Sequence, residues 1–485
     1  MKVAKFGGSS LASASQIKKV FDIVQADKQR KFIVVSAPGK RSGADTKVTD
    51  ALIAYYKAYK SADEKGIHYY QNWIIERFRE IYDELGLKSP VINQIAENIN
   101  HLAQLDLDNV FTYDTFLAAG ENNNAKLVAD FFNHSGLPSR YVHPSDAGIM
   151  VSSDPGNARL LGGAYEHIKY LNELEETLII PGFFGITKEG EVCTFSRGGS
   201  DITGSIIAAG VRAELYENFT DVNGIFAAHP GIVKNPAYIS ELTYREMREL
   251  AYSGFSVLHD EALVPAYRAH VPLVIKNTNN PDHPGTKIVV QRETKGSPIV
   301  GIASSSAFSS LYVSKYLMNR EVGFGRKVLS VLENLGVRFE HMPTGIDDMS
   351  IIIRSRYLTQ PISKALISNL TESLHPDEVY IDRDFSIITI VGEDMKEPVG
   401  VTSRATAALS KQGISIAMLS QGSSEVSVMF IVKEKYEKET YTFRVKGIYS
   451  YKGGLCIFIN QNQLNRIFSL NPKCSHFVPS FWLIP

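Results

Sequence analysis

The first half of the chain repeats one pattern, a short apolar run followed by a turn of small residues and then an amphipathic segment. Residues 2–6 are followed by the glycine-rich turn 7–10 (GGSS), and residues 32–35 are followed by 36–39 (SAPG). A third apolar run, at 178–180, ends in a similar way. Apolar runs that alternate with helical patterns are typical of parallel strands in βαβ units. The pattern therefore predicts a three-layer α/β fold, with a mostly parallel sheet and helices on both faces.

Polar residues follow the predicted strands at the point where each strand ends. Ser36 follows one strand, and Thr220 and Asp221 follow another. Open α/β sheets bind their ligands at the carboxyl ends of the strands. We therefore expect these side chains to line a cleft at one edge of the sheet.

The most distinctive candidate site is the run 197–201 (RGGSD), which lies between a strand-like segment at 191–195 and a helical pattern at 202–209. Glycines at such a junction can turn backbone N–H groups toward an anion, and the helix dipole adds to this effect. The alternative is a plain turn that Ser200 or Asp201 caps. The run by itself leaves both interpretations open.

Glu121 follows a glycine within a mostly helical region, 48–132. It is either a carboxylate at a helix N-terminus, where the dipole favours it, or a group that faces a ligand amine. These residues alone do not decide between the two.

Composition excludes several classes of function. The chain of 485 residues has 51 basic and 52 acidic side chains, so no global charge favours nucleic acid or an anionic membrane as a partner. No segment approaches the roughly 20 apolar residues of a membrane span, and the N-terminus lacks a signal core, so we expect a cytoplasmic protein. The three cysteines are widely spaced and predict neither a disulfide framework nor a zinc site.

Common catalytic motifs are also absent. The chain has no GxxxxGK[ST] P-loop, no HExxH and no GxSxG. Residues 323–328 begin like a dinucleotide fingerprint, but they end in Val where a small residue is needed. P-loop, zinc-peptidase and serine-hydrolase chemistry are therefore not supported.

The C-terminal part contains an internal repeat. Residues 328–353 align without gaps on 405–430, a constant offset of 77 residues. Each copy has the pattern helix, glycine turn, strand, turn, strand, with the first strand predicted at 337–340 and at 414–417. Two small α+β modules are expected to follow the large domain.

Five motifs, in this order, resemble those of the aspartate kinases. They are residues 5–10 (KFGGSS), 34–37 (VVSA), 120–121 (GE), 197–201 (RGGSD) and 220–224 (TDVNG). The resemblance extends to about residue 435, and the repeat is similar to the tandem regulatory ACT modules of that family. It implies an amino acid kinase domain at 1–297, ferredoxin-like ACT regions at 298–385 and 386–440, and an atypical tail at 441–485.

The resemblance implies transfer of the γ-phosphoryl group of ATP, with Mg²⁺, to the β-carboxylate of L-aspartate, the first step toward lysine, threonine and methionine. A carboxylate is already ionised at neutral pH, so this reaction needs alignment and charge neutralisation and no general base. We expect no dedicated protein cage for the metal, because phosphate oxygens and water supply most Mg²⁺ ligands.

The resemblance also implies a role for individual residues. Lys5 would stabilise the transferring phosphoryl group, and Asp201 would orient Lys5 or help to organise the phosphoryl site. Arg197 would bind a substrate carboxylate through its planar fork, and Glu121 would receive the ammonium. The expected aspartate-binding residues are Ser36, Thr49, Glu121, Arg197 and Ser200, and the expected ATP-binding residues are Lys5, Gly7, Gly8, Ser9, Thr220, Asp221, Phe226 and Lys276.

Feedback inhibition by an end-product amino acid is a further implication, with lysine as the expected effector and threonine as the alternative. The expected effector-binding residues are Met318, Phe324, His341, Gly345, Ile346, Asp347 and Asp348. Asp347 and Asp348 could instead form only a solvated turn. Pairing of ACT modules implies a homodimer or homotetramer.

The sequence departs from the family pattern in two places, and two alternative functions are open. Many relatives carry Tyr where Phe226 stands, and the tail does not continue the last module as expected. The alternatives are another enzyme of the same kinase superfamily, such as one that acts on acetylglutamate, and an amino-acid sensor with an inactive kinase domain. The tandem repeat argues against the first alternative, and the presence of Lys5, Glu121, Arg197 and Asp201 argues against the second.

Overall fold

The structure is a computed structural model. It describes residues 1–196, 198–231, 233, 235–255, 257–293, 298–395, 398–422 and 426–436. Arg197 and the tail at 441–485 therefore lie outside the described residues.

Strands and α-helices are interspersed along the described residues. The strands are β1 (Lys2–Phe6), β2 (Arg30–Val35), β3 (Ser139–Tyr141), β4 (Thr177–Pro181), β5 (Phe184–Ile186), β6 (Val192–Thr194), β7 (Leu215–Thr220), β8 (Ile225–Phe226), β9 (Tyr238–Ile239), β10 (Glu241–Thr243), β11 (Leu273–Asn277), β12 (Thr286–Val289), β13 (Gly301–Ser314), β14 (Asp348–Arg354), β15 (Glu378–Val391), β16 (Met418–Gln421) and β17 (Ser427–Lys433). The α-helices are α1 (Ala14–Ala26), α2 (Val48–Lys60), α3 (Glu64–Leu85), α4 (Val91–His101), α5 (Thr112–His134), α6 (Ala164–Ile168), α7 (Gly199–Gly210), α8 (Tyr244–Tyr252), α9 (Leu263–Arg268), α10 (Phe324–Asn334), α11 (Gln360–Leu374) and α12 (Val401–Ser410).

The large domain is built on one eight-stranded sheet, in the order β10-β12-β11-β7-β1-β2-β4-β3. Neighbouring strands are parallel except for β11 and β12, which are antiparallel. The predicted mostly parallel sheet is therefore confirmed. The small pairs β5–β6 and β8–β9 lie outside this sheet.

Helices cover both faces of the sheet, as the three-layer prediction requires. Successive side chains of a strand point to opposite faces, and β1 shows this directly. Val3 belongs to the core shared with α7, α8 and α9, whereas Ala4 and Phe6 belong to the core shared with α1 to α5. Lys5 is therefore on the same face as Val3, toward α7.

The start of α7 differs from the capped turn that the sequence allowed. The N-cap residue is Gly198, which has a φ of 77° and no side-chain cap, and Ser200 and Asp201 lie in the first helical turn. A side chain at position 198 would also clash with the ring of His259, because a Cβ there would lie 2.8 Å from its Cγ atom. Glycine is therefore required at position 198 for two reasons, the left-handed backbone conformation and the lack of space for a side chain.

Glu121 does not lie at a helix N-terminus, so that interpretation is wrong. It lies within α5, a helix of 23 residues. The polar run after it does not interrupt the helix, because Asn123 and Asn124 are fully buried and the side chain of Asn124 donates to the backbone oxygen of Ser36 at 2.7 Å. Tertiary hydrogen bonds thus keep these asparagines in the helix interior.

The C-terminal modules share one five-stranded sheet, in the order β14-β13-β15-β17-β16. The long strands β13 and β15 each span 14 residues and run through both modules. The core of the second module contains Ile299 and Ile302 beside Ile388, Val428 and Phe430. The second module therefore takes its first strand from the chain before the first module, and the two modules are not simply consecutive as expected.

The first strand predicted in each repeat is wrong. Residues 337–340 form no strand, although the N–H of Glu340 donates to the backbone oxygen of Ile352 in β14, and single bridges to β14 follow at His341 and Thr344. The strand β16 begins at Met418 rather than at 414. Val337 and Ile414 instead follow the left-handed glycines Gly336 and Gly413, and their N–H groups bond back to the helix at Leu332 and Leu409. These apolar residues are therefore the hydrophobic contacts of helix C-terminal Schellman turns.

No helix of the described residues is both long and apolar enough to cross a membrane.

Candidate active site

The carboxyl ends of β1 and β7 and the start of α7 bring three buried polar side chains together. The ammonium of Lys5 lies 2.5 Å from Oδ1 of Asp201. The side-chain amide of Asn218 donates to the same carboxylate oxygen at 2.9 Å. Lys5 and Asp201 are 7% and 8% exposed, so their charges interact with little screening by water. The pairing that the sequence suggested for Lys5 and Asp201 agrees with this geometry.

The glycine turn after β1 packs against the turn after β2. The N–H of Gly39 donates to the backbone oxygen of Gly8 at 2.8 Å, and a Cβ at position 39 would lie 2.5 Å from the carbonyl carbon of Gly8. A Cβ on Gly7 would lie 3.6 Å from the ammonium of Lys5. The two turns therefore form a close backbone surface beside the lysine, of the kind that can approach phosphate.

Glu121 faces this site from α5. Its side chain is buried, and its Oε2 atom has no hydrogen-bond partner among the described residues. Burial raises the pKa of Glu121 to about 7, while the backbone N–H of Ala37 and the charge of Lys5 act in the opposite direction. An unpaired buried carboxyl group is costly, so this atom marks a position for a cationic or hydrogen-bond-donating ligand group.

The other described residues that are expected to bind aspartate lie directly after β2 and in the first turns of α2 and α7. Ser36 follows β2, and Thr49 lies in the first turn of α2. Ser200 is buried beside Gly182. A Cβ on Gly182 would lie 2.7 Å from the hydroxyl oxygen of Ser200. Arg197, which precedes this turn, lies outside the described residues.

The expected nucleotide residues extend from the ends of β7 and β11. The hydroxyl of Thr220 lies 3.2 Å from the carboxylate of Asp221, and Ser10 pairs with Thr278 at 2.7 Å. Ser9 lies in the short helical turn beside them. Phe226 packs edge-on against Tyr238 with ring centroids 6.1 Å apart.

Lys276 lies less directly in the cleft than expected. Its ammonium lies 5.8 Å from the centroid of the Phe219 ring, on the face of the sheet that α1 to α5 cover. Burial lowers the pKa of Lys276. A nucleotide contact would require this side chain to turn toward the carboxyl end of β11.

Three functional candidates have no counterpart in the sequence analysis. Asn218 contacts Asp201, as described above. Asp114 accepts hydrogen bonds from the N–H and hydroxyl of Thr194 at 2.6 and 2.9 Å, which fixes β6 before the turn at 197–201. Arg77 donates to the backbone oxygen of Gly39 at 2.8 Å and to Asp45 at 2.9 Å. A polar residue at a buried strand position was a usable signal for Asn218, whereas the partners of Asp114 and Arg77 are 80 and 38 residues away.

Comparison with known proteins agrees with this arrangement. Residues 1–277 match the amino acid kinase family, and residues 388–441 match the ACT domain. The chain is 51% identical to Aspartokinase 3 of Bacillus subtilis (strain 168) over 90% of this chain and 96% of that protein. The chain belongs to the aspartokinase family. It is also 28% identical to the chloroplastic Aspartokinase 1 of Arabidopsis thaliana, over 89% of this chain and 77% of that protein.

Solved structures of aspartokinases have the same fold. The aspartate kinase of Clostridium acetobutylicum is 37% identical, with a TM-score of 0.77, and the match covers 92% of this chain and 99% of that chain. Aspartokinase III of E. coli, in complex with aspartate and ADP, is 22% identical, with a TM-score of 0.76, over 93% of this chain and 100% of that chain. The predicted fold class, a kinase domain followed by ACT domains, is therefore confirmed.

The expected effector residues of this aspartokinase divide into two groups. Gly345, Ile346, Asp347 and Asp348 form a turn whose backbone bonds to the segment 315–319. Asp347 accepts from the N–H of Leu317 at 2.8 Å, so one of its oxygens already stabilises the turn.

The other expected effector residues are less accessible. Met318 and Phe324 are 4% and 3% exposed in the core of the first module, so their side chains do not face solvent. His341 forms a bridge with Ile352 of β14, and burial lowers the pKa of His341. The turn at 345–348 is therefore the part of the expected effector site that the structure leaves best placed to meet a ligand.

Proposed function

We propose that this aspartokinase transfers the γ-phosphoryl group of ATP to the β-carboxylate of L-aspartate at the cleft formed by Lys5, Glu121 and Asp201. One observation carries the choice of substrate class. Glu121 presents an unpaired, buried carboxylate oxygen beside a lysine that is paired with a second carboxylate. The site thus has a position for an ammonium group close to a position for transferred phosphate.

Lys5 stabilises charge on the phosphoryl group during transfer. Asp201 holds the ammonium at the end of β1, so the ammonium needs little reorganisation when phosphate charge develops. The backbone of Gly7, Gly8 and Ser9 lines the phosphates, and Thr220, Asp221 and Phe226 contact the rest of the nucleotide. Lys276 joins them when its side chain turns toward the cleft.

The substrate carboxylate is the nucleophile and needs no general base, because it is ionised at neutral pH. Glu121 binds the aspartate ammonium, and Ser36, Thr49, Arg197 and Ser200 orient its carboxylates. These contacts direct one carboxylate oxygen toward the γ-phosphorus. Orientation of this kind can account for a large part of the rate enhancement.

Bound together with ATP, Mg²⁺ would neutralise phosphate charge. The described residues contain no group of three or more His, Cys, Asp or Glu side chains that could hold a metal ion. This arrangement is compatible with Mg²⁺, which usually keeps several waters and is bound through substrate phosphates and one or two carboxylates. Asp221, at the end of β7, is the carboxylate that we assign to this role.

For regulation, we propose inhibition by lysine at the turn 345–348 of the first ACT module, with threonine as the alternative effector. Asp348 supplies a carboxylate for the effector ammonium, and the turn amides supply donors for its carboxylate. Pairing of these modules would give a homodimer or homotetramer in the cytoplasm. Light scattering of the purified protein with and without lysine measures this assembly.

A hydroxamate assay tests the proposed reaction. Purified protein with Mg-ATP should form aspartyl hydroxamate from L-aspartate but not from N-acetyl-L-aspartate, which lacks the ammonium that Glu121 binds. Turnover of an N-acetylated acid in preference to aspartate would instead support the acetylglutamate-type alternative. Lysine binding without any turnover would support the sensor alternative.

A further inference from the structure

We infer that Asn218 is a positioning residue that fixes the Lys5–Asp201 pair for phosphoryl transfer. This inference rests on the proposed function and deepens it. Asn218 is 3% exposed and lies on β7, where its register partner on β1 is Lys5. Because parallel strands in register place side chains side by side on one face, the amide and the ammonium share the face that α7 covers.

The amide of Asn218 bridges the two charged groups. Its Nδ2 atom donates to Oδ1 of Asp201 at 2.9 Å, and its Oδ1 atom lies 3.5 Å from the Lys5 ammonium. The Lys5 ammonium approaches the same oxygen of Asp201 at 2.5 Å. One carboxylate oxygen therefore receives both donors, and the rotation of the Asp201 carboxylate is fixed from two directions.

An amide satisfies both neighbours at this position at every pH. A carboxylate can accept from Lys5, but when ionised it cannot donate to Asp201, and an apolar side chain can do neither. On the other side of β7, the register partner of Asn218 is Ile275, which offers no replacement donor. Among the described side chains, loss of the amide would therefore leave only Lys5 bound to the Asp201 carboxylate.

The surroundings determine what a carboxyl group would do here. Among the described residues, the charged or titratable groups at this position are Lys5 from β1, Asp201 from α7 and Tyr216 on β7, whose hydroxyl donates to the backbone oxygen of Asp201 at 3.2 Å. Glu121 on α5 interacts with the charge of Lys5. The single positive charge of Lys5 is already paired with Asp201. A second buried carboxylate would have no cationic partner among the described residues. The new carboxyl group in Asn218→Asp should therefore have a pKa well above the ordinary value of aspartate.

Two substitutions test this role through the pH dependence of the reaction. Asn218→Leu should lower kcat by roughly 10- to 100-fold, with the KM for aspartate changed less than about threefold, because substrate contacts remain. Asn218→Asp should approach wild-type kcat near pH 6, where a protonated carboxyl still donates to Asp201. It should lose at least about tenfold by pH 8.5, where the carboxylate repels Asp201.

A readout without substrate separates this inference from the proposed function. The carboxyl group that replaces the amide in Asn218→Asp should have a raised folded-state pKa. Its contribution to stability is therefore present at low pH and is lost as pH rises through that pKa. The unfolding temperature of Asn218→Asp, relative to that of the wild type, should therefore fall between pH 6 and pH 8.5. Asn172→Leu, which removes a partly buried amide bound to the backbone of Val211, is the control for general loss of packing.

The outcomes are distinct. A wild-type protein that does not phosphorylate aspartate contradicts the proposed function, while the unfolding profile of Asn218→Asp still tests the bridge. Wild-type kcat in Asn218→Leu would overturn the positioning role. Activity and unfolding profiles of Asn218→Asp that run parallel to wild type at every pH would overturn it as well.

Discussion

Glu121 shows how one residue can be placed for binding at the expense of stability. Its folded-state pKa of about 7 is above its ordinary value of 4.5 because burial disfavours the charged form. The carboxyl group is therefore ionised at a cost when the site is empty above neutral pH. An aspartate ammonium would remove that cost, so substrate binding and deprotonation of Glu121 should be linked.

Glu121→Gln should stabilise the free protein and impair binding of aspartate. Because the folded-state pKa is raised, wild-type stability from this group falls as pH rises from about 4.5 to 7, and the advantage of the variant should reach up to about 3 kcal/mol above pH 7. The KM for aspartate should rise at least tenfold at pH 8, because a neutral amide replaces the charged partner of the ammonium. Denaturant unfolding across pH 5–8 and steady-state kinetics measure both effects.

A matched pH experiment on the wild type checks the same linkage. Its KM for aspartate should rise as pH falls from 8 to 6, because protonation of Glu121 removes the ion pair, and the variant should lack this dependence. A variant that is less stable than wild type at pH 8, with an unchanged KM, would show that Glu121 does not receive the substrate.

Lys5→Ala should reduce kcat by several orders of magnitude while the affinity for ATP falls less. In the proposed mechanism the lysine ammonium meets charge that develops mainly during transfer, so its loss should affect the transition state more than the bound nucleotide. Steady-state kinetics and calorimetric titration with ATP separate the two effects. Lys2→Ala is a suitable control on the same strand, because Lys2 pairs with Asp27 at the opposite end. Near-normal turnover in Lys5→Ala would contradict the role given to Lys5.

At the scale of elements, the two backbone turns beside Lys5 form a contact that tolerates no side chain. A methyl group on Gly39 would lie 2.5 Å from the carbonyl carbon of Gly8 and 2.8 Å from the N–H nitrogen of Ser9. Both contacts are with backbone, so Gly39→Ala must displace the turn that we propose lines the phosphates. We expect the KM for ATP to rise by about tenfold or more in Gly39→Ala, because a small misplacement of binding groups is enough for such an effect.

Gly43→Ala is the matched control, because a Cβ at that position meets no atom within 4 Å. It lies in the same connection between β2 and α2, so general stiffening of the connection would affect both variants. Equal KM values for ATP in the two variants would show that the contact between the turns does not position the nucleotide.

The elements also show where prediction from the sequence succeeds and where it stops. Apolar runs and glycine turns were sufficient for the parallel sheet, since both signals are local. The sequence predicts strands at Val337 and Ile414 because an apolar residue after a glycine can either begin a strand or close a Schellman turn. The local pattern is the same in both cases. The shared sheet of the two modules, and the partners of Asn218, depend on contacts between residues far apart in sequence, which no local pattern contains.

At the scale of the whole molecule, α8 connects the kinase domain with both regulatory modules. At its N-terminal end, Glu246 accepts two hydrogen bonds from Arg292, at 2.9 and 2.7 Å, and one from the backbone of Glu393 in the second module, at 3.0 Å. At its C-terminal end, the hydroxyl of Tyr252 donates to Glu340 in the first module. A change in either module can therefore reach the same catalytic-domain helix.

Arg292→Met should destabilise the protein and weaken feedback inhibition. Glu246 is fully buried, so removal of its guanidinium partner leaves a buried carboxylate poorly compensated, at a cost of about 3–5 kcal/mol. Since Arg292 also lies 3.2 Å from Asp394, the link between the kinase domain and the second module should loosen. Inhibition by lysine should then require several-fold more effector, while turnover without effector should change little.

Arg245→Met tests whether any lost ion pair at this interface has the same effect. Arg245 contacts Glu393 at 3.4 Å, but its side chain is 56% exposed, and such pairs contribute at most about 1 kcal/mol. Unfolding free energies and lysine inhibition curves of the two variants should therefore differ clearly. If Arg292→Met unfolds like Arg245→Met and keeps the wild-type inhibition curve, then the buried network holds neither the interface nor the regulatory coupling.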